Sequence, residues 1–84
     1  DMPQWLKDAE TAIESHRIKE AAELLDEQFV EQQIKDQDEP IKLFMKYELG
    51  MLLYQIKQVK RAEKLYREIL KSHHSMPRLL LFLK

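Results

Sequence analysis

The sequence contains one glycine and three prolines among 84 residues, so it offers few places for the chain to turn. β-Sandwiches and β-barrels need a turn about every 8–12 residues, and glycine and proline are typical of such turns. A fold of that kind is therefore excluded, and we predict an all-α fold. The length corresponds to a single small domain, and 44% hydrophobic residues suffice for a core.

Apolar residues recur at intervals of three and four, which is the pattern of one helical face. We predict two helices within residues 3–34, separated by the polar turn Ser15-His16-Arg17, and two within residues 41–72, separated near Lys57-Gln58. Residues 35–40 are predicted to form a polar loop that ends at Pro40. The predicted architecture is two antiparallel helical hairpins plus a fifth helix at 77–84, with the helix over residues 41–56 buried on more than one side.

The segment predicted as the fifth helix is apolar on nearly all sides. Leu79, Leu80, Leu81, Phe82 and Leu83 follow one another without a polar residue. A helix of that kind must be covered from several directions. We therefore expect that the chain is a fragment of a longer protein or that this segment packs into a neighbouring copy, and we assign the five residues to a candidate interface.

Shifting the sequence by 41 positions aligns the first predicted hairpin with the second. Ala9 then coincides with Gly50, and Ala21 coincides with Ala62. Two helices approach each other most closely where both carry small side chains. We therefore predict that these four positions mark the helix crossings of an internal repeat.

The second repeat resembles the tetratricopeptide signature, which has Leu-Gly on one helix and Ala followed by an aromatic residue on the next. Leu49-Gly50, Ala62 and Tyr66 supply these features, and Leu25 takes the place of Tyr66 in the first repeat. The period is 41 residues rather than about 34, and no proline closes the first repeat. These departures favour a compact pair of hairpins over a regular superhelix.

The tetratricopeptide resemblance implies an adaptor that binds a partner peptide on the concave face of the first and third predicted helices. Trp5, Tyr47, Met51 and Tyr54 are the candidate groove residues, because methionine and aromatic side chains suit protein interfaces. The alternative is that the same residues belong to the core and its rim.

The order of helices and small residues also resembles the C-terminal region of TssA-type (ImpA/VasJ-like) proteins of bacterial type VI secretion. The similar segments are residues 5–13, 20–25, 44–53 and 62–70. In that family the region is a cytoplasmic helical oligomerisation module that contacts baseplate, tube and sheath components. The resemblance therefore implies a cytoplasmic assembly module that forms a homo-oligomer, without a catalytic motif.

The net charge of −1 conceals an uneven distribution along the chain. Residues 1–40 carry four basic and twelve acidic side chains, a charge of −8, whereas residues 41–84 carry ten basic and three acidic ones, a charge of +7. The two halves could neutralise each other within one molecule, or they could meet between copies or with a partner protein. We do not expect a nucleic-acid partner, because the acidic half would repel phosphate and the basic residues are not interleaved with exposed aromatics.

Nothing in the sequence supports catalysis, a cofactor or a metal site. A single glycine cannot supply a phosphate-binding loop, and the absence of cysteine excludes disulfides, thiol catalysis and cysteine zinc sites. His73 and His74 are adjacent, so on a helix they would point about 100° apart and would not share one ion. We predict a non-catalytic protein without a cofactor.

The sequence also bears on location. The absence of cysteine fits a reducing compartment such as the cytoplasm. No apolar run approaches the ~18 residues of a membrane span, so we expect no membrane insertion.

Overall fold

The computed structural model describes residues 2–72, which form five α-helices. They are α1 (Gln4–Glu14), α2 (Ile18–Leu24), α3 (Glu27–Lys35), α4 (Glu39–Gln55) and α5 (Val59–Ser72). The all-α prediction is confirmed over this range. The predicted helix at 77–84, with its candidate interface at 79–83, lies outside the described residues.

Helix α4 is the centre of the domain. It packs against α5, α1 and α3, while α1 also packs against α2. This arrangement confirms that the helix predicted over residues 41–56 is buried on more than one side. The largest completely buried side chains come from α1, α4 and α5 and from the C-cap of α2; they are Leu6, Leu25, Met45, Leu49, Leu53, Tyr66 and Ile69. Burial of each such side chain contributes about 1.5–3 kcal/mol to folding.

The prediction of one continuous helix from residue 18 to about 34 is wrong, because the chain breaks at Leu25 and Asp26 into α2 and α3. Asp26 is the N-cap of α3, and its side-chain Oδ2 accepts a hydrogen bond from the Phe29 backbone N–H at 3.1 Å. The cap satisfies one of the donors that a helix start leaves free. Apolar periodicity continues through the break and therefore conceals it.

The polar loop between the repeats is also shorter than predicted. Helix α3 extends to Lys35 and α4 begins at Glu39, which leaves three residues between the two helices. Pro40 lies in the first turn of α4, where its missing N–H removes no hydrogen bond, and Asp38 is the N-cap residue. The two ends of the predicted loop therefore belong to helices, Lys35 to α3 and Glu39-Pro40 to α4.

The turns that end α1 and α4 are equivalent under the shift of 41 residues. In each turn one residue has a positive φ, 62° at His16 and 71° at Lys57. Each turn also has the two backbone bonds of a Schellman motif. In the first turn the N–H of His16 donates to the carbonyl of Ile13, and the N–H of Arg17 donates to that of Ala12. In the second turn Lys57 donates to Tyr54 and Gln58 donates to Leu53 in the same way, and the four N···O distances are 2.8–3.1 Å. The two turns therefore share one backbone conformation.

Lys57→Gly should stabilise the fold by about 0.5–1 kcal/mol, because glycine adopts a positive φ without the Cβ clash that lysine incurs. Urea denaturation measures the change. Lys57→Ala is the matched control, since alanine also carries a Cβ and should give no gain. A stabilisation by alanine equal to that by glycine would contradict this explanation.

The four small positions of the repeat are buried, and Gly50 has a particular reason to lack a side chain. A Cβ at Gly50 would lie 2.9 Å from Cζ and 3.1 Å from Cε1 of Tyr66, whose side chain is only 1% exposed. Distances below 3.0 Å essentially never occur for real Cβ atoms. The ring of Tyr66 therefore occupies the space above Gly50, where the sequence suggested that Ala62 would lie. Under the shift of 41 residues the equivalent positions of the first repeat are Ala9 and Leu25, and both are fully buried.

Gly50→Ala should destabilise the domain by about 1–2 kcal/mol, because overpacking against Tyr66 outweighs the better helix propensity of alanine. In the Tyr66→Leu background the same change should cost much less, since leucine lacks the ring atoms that would clash. A double-mutant cycle by urea denaturation measures this coupling. Additive effects of the two changes would show that the ring does not exclude a side chain at position 50.

Candidate functional site

A groove of about 240 Å³ lies over α4, between α3 and α5. Its apolar part comes from all three helices, and charged side chains surround that part. The lining residues are Glu27, Val30, Glu31, Ile34 and Lys35 of α3, Lys42, Lys46, Leu49 and Leu53 of α4, and Arg61, Lys64, Leu65 and Glu68 of α5. Small-molecule pockets usually enclose about 300–1,000 Å³, so this groove is smaller than most of them.

Helical periodicity explains how one groove receives these residues. The lining positions of α4 are spaced by four, three and four residues, so that they fall on one face of the helix. On that face the lysines belong to the first half of α4 and the leucines to the second. The result is a groove whose apolar part merges into a basic region along its length.

The groove lining has five basic and three acidic side chains. Lys46 Nζ and Glu68 Oε1 form an ion pair at 3.5 Å between α4 and α5, and so neutralise each other. The remaining carboxylates are those of Glu27 and Glu31 on α3. The groove therefore has an excess of positive charge, although the whole chain has a net charge of −1.

Arg61 connects α5 to the break between α2 and α3. Its Nη2 donates to the backbone carbonyl of Leu25 at 2.9 Å, and its Nη1 donates to Oε1 of Gln58 at 2.7 Å. The Leu25 carbonyl lies at the end of α2, where no further helical turn follows to bond it. The guanidinium thus holds the first turn of α5 beside the start of α3 while keeping its positive charge within the groove.

A second surface lies on α4, on the side away from the groove. Phe44, Tyr47, Met51 and Tyr54, which we call the α4 stripe, are spaced by three, four and three residues and lie about 150° around the helix from the groove face. Phe44 is 44% exposed and Tyr54 is 48% exposed, whereas Tyr47 and Met51 are half-buried. The stripe is therefore an aromatic surface accessible to another molecule.

The four predicted groove residues belong to two helices, Trp5 to α1 and the other three to α4. Trp5 packs edge to face against Phe29 of α3, with ring centroids 5.7 Å apart. Tyr47 instead packs against Tyr66 of α5, with centroids 6.2 Å apart. None of the four predicted residues lines the α3–α4–α5 groove. Three of them nevertheless share the α4 stripe.

The phenol of Tyr66 belongs to the core. Burial, together with the smaller effects of the nearby Tyr47 and Glu48, raises its pKa to about 12. The hydroxyl is therefore neutral at physiological pH. Its position fits a packing role beside Gly50.

Over residues 2–72, no three His, Asp or Glu side chains come together as a group that could hold a metal ion. Within the same range no helix is both long and apolar enough to cross a membrane.

Comparison with protein-family models, with curated proteins and with solved structures gave no match for this chain. The resemblances to tetratricopeptide repeats and to TssA-type proteins therefore rest on the residues of the chain itself.

The basic groove was missed by the sequence reasoning. Lys42 and Lys46 are four residues apart and precede Leu49 and Leu53 on one helical face. This spacing could have indicated the contribution of α4 to the groove. The contributions of Arg61 and of α3 become apparent only when the three helices are assembled.

Arg61→Lys should destabilise the domain by about 1–2 kcal/mol, because lysine cannot bond the Leu25 carbonyl and the Gln58 amide together. Urea denaturation checks the value, and amide exchange near residues 25–26 should accelerate. Arg67→Lys on the exposed face of α5 is the matched control and should change stability by less than about 0.5 kcal/mol. Equal effects of the two substitutions would show that the hydrogen bonds of Arg61 to Leu25 and Gln58 do not stabilise the domain.

Proposed function

We propose that this chain is a non-catalytic protein–protein interaction module whose copies associate through the α4 stripe. The observation that carries the proposal is the exposure of Phe44 and Tyr54 on the face that also presents Tyr47 and Met51. Aromatic and methionine side chains are enriched at protein interfaces, and contiguous exposed apolar surface is typical of an interaction site.

The charge distribution supports association between copies. The charge of −8 on residues 1–40 and of +7 on residues 41–84 allows the acidic part of one copy to lie beside the basic part of another. Such complementarity sets orientation and association rate more than affinity. The aromatic stripe would supply the apolar area, and the charges would set the register.

The TssA-type resemblance gives this association a biological setting. By that resemblance the module would act in the cytoplasm, as the oligomerising scaffold of a type VI secretion component that contacts baseplate and sheath proteins. Residues 79–83 remain a proposed part of the interface, since five consecutive large apolar residues need cover.

The full 84-residue chain should show a mass that rises with concentration in light scattering. Phe44→Glu and Tyr54→Glu should each weaken self-association at least tenfold, because a carboxylate at the interface would lose its hydration. Circular dichroism verifies that the variants remain folded.

Ile18→Glu provides the matched control, since Ile18 is 42% exposed but lies on α2, away from the stripe. It should leave association unchanged. A wild-type chain that stays monomeric throughout the concentration series, or an equal loss in Ile18→Glu, would refute the proposal.

A second candidate function is the tetratricopeptide-like adaptor that binds a partner peptide. The α3–α4–α5 groove favours it, because three helices there form a concave surface with an apolar part and a charged border. This groove and the α4 stripe lie on different faces of α4, so one chain could use both.

A further inference from the structure

We infer that the α3–α4–α5 groove binds an acidic amphipathic helix of a partner protein. The inference does not depend on self-association, because the groove and the α4 stripe lie on different faces of α4. Three features of the groove support it: two lysines without an ion-pair partner lie at one end, its apolar residues are already mostly buried, and its walls are helices.

Two of the lysines that line the groove lie at one end of it. Helix α3 ends at Lys35 and α4 begins only four positions later, so Lys35 and Lys42 lie at the same end. Among the described residues neither of them forms an ion pair; the ion pairs there are Lys46–Glu68 within the groove and Arg17–Glu20 outside it. We call Lys35 and Lys42 the basic end. Two lysines without a carboxylate partner favour an acidic ligand there.

The rest of the groove strengthens this preference. The guanidinium of Arg61 donates hydrogen bonds to the Leu25 carbonyl and to the Gln58 side-chain amide oxygen. Both acceptors are neutral, so these bonds do not compensate the positive charge of Arg61. Lys64 is exposed on the same wall. Glu27 and Glu31 on the opposite wall offset only part of this charge.

The apolar residues of the groove limit what hydrophobic contact can contribute. Val30, Ile34, Leu49 and Leu53 are each at most 7% exposed, and only Leu65 is half-buried. A ligand would therefore bury little additional apolar surface, and its affinity would depend largely on charge. Because charge would contribute more to affinity than apolar contact, the groove would select a ligand by its acidic residues.

The walls of the groove favour a helical ligand over an extended one. They are helices, whose backbone N–H and C=O groups already bond within each helix. An extended peptide would bring its own backbone groups into the groove without backbone partners, whereas a helix satisfies them internally. A helix laid into an apolar groove is also a recurring mode of peptide recognition.

The test uses the full chain and two designed helical peptides of about 14 residues, long enough to span the nine-residue α3. Both peptides carry leucine at every third or fourth position, and they differ only in having glutamate or lysine at the flanking positions. Fluorescence anisotropy should show at least tenfold tighter binding of the glutamate peptide, with an affinity that falls as salt rises.

Lys35→Glu/Lys42→Glu should weaken binding of the glutamate peptide about tenfold and improve binding of the lysine peptide. Lys7→Glu/Lys60→Glu changes the net charge equally at two exposed lysines outside the groove, and it should have a much smaller effect. NMR shift changes should map to α3, α4 and α5 around the groove.

Equal affinity for the two peptides would overturn the inference, as would binding of neither peptide. Shift changes confined to the α4 stripe would also overturn it. So would loss of self-association in Lys35→Glu/Lys42→Glu, since a second copy would then be the occupant of the groove. None of these results depends on whether the stripe variants become monomeric.

Discussion

The close approach of the Tyr66 ring to Gly50 is the contact on which the rest of the structure depends. Because position 50 has no side chain, a large buried ring fits between α4 and α5, and α5 packs closely along the central helix. That packing fixes one wall of the groove. The ion pair of Lys46 with Glu68 and the bonds of Arg61 then act on helices whose spacing the ring has already set.

The central helix separates two surfaces of different chemistry. On one face its lysines and leucines contribute to a basic groove, and on another its aromatic residues form the α4 stripe. A helix that contacts α1, α3 and α5 can still present both, because each contact covers only part of its circumference. The self-association and the partner binding that we propose would therefore use separate residues.

The internal repeat shows how one backbone plan accepts different side chains. The turns at His16 and Lys57 have matching hydrogen bonds, although neither uses the glycine that a positive φ favours. Gly50 lies against Tyr66 in the second repeat, and the equivalent positions of the first repeat hold Ala9 and Leu25.

Much of the fold could be predicted because the information is local. Apolar spacing located α1, α4 and α5, and its interruptions at Ser15-His16-Arg17 and near Lys57-Gln58 located the two turns. The break at Asp26 was missed although a capping residue was present, since apolar residues continue at helical spacing on both sides of it. A capping residue favours a new helix start, whereas uninterrupted apolar spacing favours one continuous helix, and the sequence pattern alone did not show which of the two forms.

The sequence by itself determined that the chain is helical, because scarce glycine, scarce proline and a helical period act within a few residues of one another. Only the tertiary structure decided where the groove and the α4 stripe lie. The groove unites residues of α3, α4 and α5, and the bond of Arg61 to Leu25 joins positions 36 residues apart. Such contacts depend on how helices pack, and helix packing is set by the fit of side chains across elements that are distant in the chain.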